Sequence, residues 1–391
     1  GVMLKPYLAV GAALTGISIV AVGNGVMSVF LALRMTLADF APMSIGIVVT
    51  AYSIGFLVGC LRTPMVIRQV GHHRAFAVFA GLMGAAALAM ALKVDVIVWS
   101  ALRMIAGFAA AGLYVVAESW LASRTESETR GRVFGAYMIL TKCAFGVGQL
   151  LLALGDPQGL GLFMVAAALY ALCLIPVSLT RDEGPARGEL SSYGLLPLYR
   201  LSPIAVVGCF TAGMNNATIV GIAPVYAAAL QFDTATVAWF VGLMQFGGLF
   251  LQYPIGRLAD RIDRRKVVLL SAAGTVSMAV GLLAAGAGPL PLVLVLAALY
   301  GGISFTIYPV CAAHAADRAD AQHMVAISGG LLLSWAVGSV IGPITATLLM
   351  QIAGPGGMFI FIGGVTSGLV LFILWRMTRR PVAGVKFATA I

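Results

Sequence analysis

Charge is what this 391-residue sequence has least of: Asp, Glu, Lys and Arg make up 10% of it, against 61% apolar residues. Its mean hydropathy is +1.01. Soluble domains carry roughly a quarter charged residues to keep their surfaces wet, so a water-exposed globule is excluded and lipid is the expected outer solvent. Catalytic groups are equally scarce. Of four histidines, His72, His73 and His323 fall in loops, and His314 ends an apolar run with no acid nearby. There is no HExxH, no GxSxG with a plausible partner and no Walker loop, so neither hydrolysis nor ATP drive is supported and no enzyme is expected. The five cysteines lie inside apolar runs without CxxC spacing or metal-ligand neighbours. They read as small hydrophobes in helix packing, and no cofactor is expected. The net charge of +10 stands on no soluble domain, which argues against a nucleic-acid partner.

What the sequence has in quantity is long apolar runs. A span needs about 20 such residues, and twelve stretches qualify, in two sets of six. The first set begins at about Tyr7, without a small-residue cleavage site, and ends with Gly159 to Leu179. The second begins at Pro203, includes Leu290 to Ala313, and ends at Trp375. Residues 1–180 are expected to form one six-helix bundle, 181–202 a cytoplasmic linker and 203–391 a second bundle. The 47 glycines suit close helix packing. The expectation is an all-α membrane protein of twelve transmembrane helices, surrounded by lipid and monomeric.

The basic residues set its orientation. Twenty of the 24 Lys and Arg, from Lys5 through Arg62, Arg68, Arg74, Arg130 and Arg132 to Arg379, fall on the side that carries both termini. Only Arg34 and Lys93 fall opposite, while Arg103 and Lys142 lie inside spans. The positive-inside rule then puts both termini in the cytoplasm, in a bacterial-type inner membrane.

The two halves align with an offset of about 192 residues. Gly23-Asn24 meets Asn215-Asn216, and the loop Val66 to Arg74 meets Leu258 to Lys266. With the offset shifted by two, Gly107 and Leu113-Tyr114-Val115-Val116 meet Gly301 and Ile307-Tyr308-Pro309-Val310. Parallel repeats of six spans imply a pseudo-two-fold axis along the membrane normal and a site between the halves near the midplane.

These residues resemble the major facilitator superfamily. Gly256-Arg257-Leu258-Ala259-Asp260-Arg261-Ile262-Asp263-Arg264-Arg265-Lys266 resembles its loop signature between the eighth and ninth helices, with Asp263 where the second glycine is usual. The first copy is degenerate, with Pro64 for the first glycine and Arg68 for the acid. Ala117-Glu118-Ser119-Trp120, Arg130-Gly131-Arg132-Val133 and Gly135-Ala136-Tyr137-Met138 are similar to the YcaD-like branch. The resemblance implies secondary transport of a small molecule by alternating access and names no substrate. It also implies that Asp260 and Arg261 act in a cytoplasmic gate.

Few polar groups lie at membrane depth, which makes them candidates. Glu118 is the one acid of 14 within a span. It is expected to couple protons, or to form a gating ion pair with Arg62, Arg130 or Arg132. Arg103 and Lys142 would make the cavity positive and suit an anionic or zwitterionic solute. Asn24, Asn215 and Asn216 offer amides near the middles of the first and seventh helices. Tyr52, Tyr114, Gln245, Tyr308 and Trp335 complete the candidate substrate-binding set. Export of drugs, amphiphiles or lipids, and a non-transporting receptor or scaffold, are the alternatives.

Overall fold

The computed structural model describes residues 4–125, 127–180, 194–318 and 324–379, with backbone only at 4–9, 122–124, 127–131 and 324–326. Among these residues twelve helices are long and apolar enough to cross a membrane. The first six are α1 (Val10–Leu37), α2 (Pro42–Val70), α3 (His72–Leu92), α4 (Val96–Leu121), α5 (Arg132–Leu154) and α6 (Gly161–Ser178). The second six are α7 (Pro203–Ala229), α8 (Thr234–Arg261), α9 (Arg264–Ala285), α10 (Leu290–Ala316), α11 (Ile327–Ala353) and α12 (Gly357–Arg379). Helices are what lipid demands, because each satisfies its own backbone polar groups. Large apolar side chains such as Leu92, Phe250 and Leu371 remain exposed, as a lipid-facing surface requires.

Loop chemistry starts several of these helices. Asp95 accepts from the Ile97 and Val98 amides at 3.0 and 3.1 Å, Asp233 from Thr236 at 2.9 Å, and Asp263 from Arg265 at 3.0 Å. Each carboxylate satisfies orphan N–H groups of a first turn. The same bonds hold the Asp95 and Asp233 carboxyls below the usual carboxylate range. A single residue, Gly71, joins α2 to α3 with a φ of +83°, a conformation that glycine alone takes at little cost.

Prolines break two spans that the sequence pattern reads as continuous. The α-helix of α6 stops at Leu172 and restarts at Leu174, because Pro176 has no N–H for the Leu172 carbonyl. Likewise α10 stops at Ser304 and restarts at Ile307, with Pro309 unable to bond Phe305. Leu152–Leu154 closes α5 as a 3₁₀ turn. Of the expected linker, 181–193 lies outside the described residues; its later part contains a short helix, Leu195–Leu201.

The internal repeat reappears in the packing. In the first half Gly107 of α4 lies against the Tyr52 carbonyl oxygen, and Gly55 of α2 against that of Met104. In the second half Gly301 of α10 lies against the Met244 carbonyl oxygen, and Gly247 of α8 against that of Ala298. Both interfaces thus use the same reciprocal glycine-to-backbone contact at equivalent positions of the repeat. Asp39 and Gln231, also equivalent, both take positive φ, 59° and 62°, in the turns after α1 and α7.

Among the described residues, the halves make several close contacts toward the end remote from the basic loops. A side chain on Gly46 of α2 would overlap Thr347 of α11, and one on Gly221 of α7 would overlap Val49. The Thr50 hydroxyl reaches the Val340 carbonyl at 3.3 Å. Phe246 of α8 packs over Gly146 of α5, and Leu150 of α5 over Gly242.

Candidate functional site

Alongside these contacts, α1, α2, α4 and α5 of the first half and α7 and α11 of the second line a cavity of about 270 Å³. Asn24, Tyr52, Arg103, Tyr114, Asn216 and Trp335 all line it, so six of the ten candidate binding residues converge there. Most of the remaining wall is apolar, including Met27, Leu31, Met35, Val48 and Val220.

The polar groups of the first half hold one another in place. Asn24 uses both ends of its amide: Oδ1 accepts from Tyr170 Oη at 2.8 Å, and Nδ2 donates to Tyr114 Oη at 3.4 Å. One asparagine therefore ties α1 to α6 and to α4. On α4, Arg103 and Tyr114 are eleven residues apart, close to three full turns, so they share a face. The Arg103 guanidinium lies over the Tyr52 ring, 4.1 Å from its centroid. Stacking of this kind contributes about 0.5–2 kcal/mol and leaves the in-plane N–H donors free. Among the described residues no carboxylate makes a salt bridge with Arg103, and none lines the cavity.

Four candidates lie elsewhere. Asn215 is fully buried and donates from Nδ2 to Thr366 of α12 at 2.8 Å. It precedes Asn216 by one residue, and the 100° turn between them sends one amide into the bundle and the other to the cavity. Lys142 bonds Gln252 of α8 through Nζ at 2.6 Å, spanning the two halves. Of the two expected cavity cations, Arg103 lines the cavity and Lys142 does not, because the azimuth of Lys142 on α5 turns it toward α8. Gln245 is half-buried on α8 outside the lining. Tyr308 of α10 lies in the electrostatic range of Glu118 and Cys60, which belong to the other half.

Sequence reasoning passed over Ser28, Ser53, Phe56, Phe145 and Ser339, all of which line the cavity. Ser28, Phe56 and Ser339 follow Asn24, Tyr52 and Trp335 by four residues. The i, i+4 neighbour rule would have found them.

Glu118 stands on α4 four residues beyond Tyr114, toward the basic end and outside the cavity lining. Its Oε1 accepts from Tyr137 Oη of α5 at 2.9 Å. Neither Arg62 nor Arg132, both exposed, pairs with it, and the Arg130 side chain lies outside the described residues. Among the described side chains, the Tyr137 hydroxyl is the group that hydrogen-bonds the Glu118 carboxylate.

The loop after α8 is bound within its own half. Arg264 reaches Asp260 at 3.3 Å and Asp317, at the end of α10, at 2.7 Å. Arg261 is exposed. Asp263 is drawn upward by partial burial, but the Arg265 side-chain and backbone bonds outweigh this and hold its carboxyl below the ordinary range. His314 has acids for neighbours after all: Asp317, three residues on in the chain, and Asp263, brought there by the fold, both act on it electrostatically. All five cysteines are free, and the described residues contain no cluster of metal-ligating type.

This arrangement, twelve spans in two packed repeats around one central cavity, defines a membrane transporter of alternating-access type. The chain belongs to the Major Facilitator Superfamily, whose sequence profile matches it twice, over residues 13–205 and 205–389. It is 28% identical to the uncharacterized MFS-type transporter YE1530 of Yersinia enterocolitica, across 94% of each chain. It is also 28% identical to the uncharacterized MFS-type transporter YcaD of Salmonella typhi, over 94% of this chain and 96% of that one. Among solved structures, the nucleoside transporter NupG matches with a TM-score of 0.78 at 13% identity, over 95% of this chain and 99% of the other. A D-xylose–proton symporter matches with a TM-score of 0.77 at 14% identity, over 94% and 97%. At such identities these structures establish the fold alone.

Proposed function

We propose that this protein is a secondary transporter that carries a small organic anion across the cytoplasmic membrane by alternating access. Arg103 carries the reading: among the described residues it is the one charged group lining the cavity, and no carboxylate pairs with it. A guanidinium in an apolar enclosure favours an anionic ligand, and the charge-assisted bond that forms is stronger there than in water. The absence of an acid from the lining favours an anion over a zwitterion. Two bundles, 1–180 and 203–391, rocking as a monomer about the cavity would expose it alternately.

Glu118 is the proposed proton-coupling group, with Tyr137 as the partner that holds its carboxylate. Purified protein in liposomes tests the main reading. Uptake of an organic anion should occur in the wild type and fall at least tenfold in Arg103→Gln. Equal uptake in both would sink the anion assignment, and binding without flux would leave a receptor instead. The apolar wall favours one second reading, export of a neutral amphiphile, whose affinity would be unaffected by Arg103→Gln.

A further inference from the structure

The cavity has two poles, one in each half. Arg103 of the first half supplies donors and positive charge. Asn216 of the second half supplies an amide whose Oδ1 is buried with no hydrogen-bond partner among the described residues. Its neighbour Asn215 is anchored to Thr366, so the two amides play different parts. An unpaired buried carbonyl oxygen is costly, and what relieves it is an O–H or N–H donor. The same cavity has an aromatic wall that starts beside the first pole. From Tyr52 beneath Arg103, the Phe56 ring follows at 6.4 Å and the Trp335 ring at 6.1 Å from Phe56, with Phe145 also in the lining. This wall crosses from α2 to α11, from one half to the other. Aromatic edges and faces of this kind select flat rings by stacked and T-shaped contact.

We infer that the solute is a monoanion with an aromatic body and a hydrogen-bond donor at the pole away from its charge, gripped between Arg103 and Asn216. This rests on the anion-transport reading above. One cation and no acid in the lining match a single negative charge; a second charge would lie unpaired in apolar surroundings. A ligand touching both poles also joins the two halves, so occupancy bears directly on whether they close around it.

Calorimetry on the full-length purified protein with four probes tests this. The probes are 4-hydroxyphenylacetate, phenylacetate, cyclohexylacetate and the uncharged 4-hydroxybenzyl alcohol. 4-Hydroxyphenylacetate should bind tightest, phenylacetate about tenfold more weakly for loss of one hydrogen bond, cyclohexylacetate more weakly again, and the alcohol not measurably. Asn216→Ala should remove the preference for the hydroxyl, while Arg103→Gln should abolish binding of every anion. Equal affinities for the hydroxylated and plain ring in wild type overturn the inference, whatever the variants do. Ring and cyclohexane binding alike, or a hydroxyl preference that survives Asn216→Ala, does the same. If monocarboxylates bind through Arg103 without these preferences, the inference falls and anion transport stands. If none binds, or Arg103→Gln changes nothing, the anion reading falls with it.

Discussion

Lys142 of α5 donates a 2.6 Å hydrogen bond from Nζ to Oε1 of Gln252 on α8, so the ammonium of one half is held by an amide of the other. Among the described residues neither side chain has an acid in salt-bridge range. Gln252→Leu leaves a largely buried ammonium unpaired and should lower stability by about 1–3 kcal/mol. Lys142→Met added to it should recover most of that loss, because the orphaned charge is gone. Thermal unfolding in detergent across the double-mutant cycle checks this, and strictly additive losses would show that the contact is not a coupled one.

Glu118 and Tyr137 make separable contributions if the carboxylate couples protons. Glu118→Gln should flatten the pH dependence of uptake into liposomes, since the titrating group is gone. Tyr137→Phe keeps the carboxylate, removes one 2.9 Å hydrogen bond and should move the midpoint of that profile without abolishing it. A pH profile in Glu118→Gln that overlays the wild type would end the coupling role.

Gly107 and Gly301 test the repeat as a packing device. A Cβ at either would overlap a carbonyl oxygen of the facing helix, Tyr52 or Met244. Each substitution to Ala should therefore cost about 1–3 kcal/mol or reduce the folded yield. Gly256, in the loop signature, has open space around it. Gly256→Ala should fold normally, and size-exclusion profiles of the three variants distinguish the cases.

Asp263 offers a pH-dependent prediction at the water-exposed end of α9. Its folded carboxyl is held below the unfolded value of about 3.9, so the stability it contributes is present above that pH. The contribution is lost as the pH falls through the folded value. Asp263→Asn keeps a capping oxygen and loses only the charge, so it should destabilise by about 0.3–1 kcal/mol at pH 7 and progressively less below pH of about 4. Melting temperatures of both proteins against pH should converge in acid; a constant gap would assign the effect to something other than ionisation.

The spans and the repeat could be read directly. The offsets that align the halves in sequence are those at which glycines meet facing backbones, because both copies must solve the same close approach. Depth was legible too: Arg103, Glu118, Lys142 and Asn216 all lie within spans, as counting along a helix implies. Azimuth was not. Asn215 and Asn216 are equivalent at the level of sequence, as are the mid-span cations Arg103 and Lys142, yet one of each pair lines the cavity. Of the acids beside His314, Asp317 stands three residues away and was legible in the sequence, whereas Asp263 was not, because only the fold brings it there.

The sequence by itself determined that this chain is a twelve-span helical membrane protein with two related halves, because apolar length and backbone satisfaction in lipid leave no other form. Only the tertiary structure decided which described polar groups line the cavity, Arg103 and Asn216 but not Lys142 or Asn215, and that the Tyr137 hydroxyl binds Glu118. The physical reason is rotational: hydropathy fixes how far a residue sits along a helix, whereas the side it faces depends on packing against neighbours that no local pattern encodes.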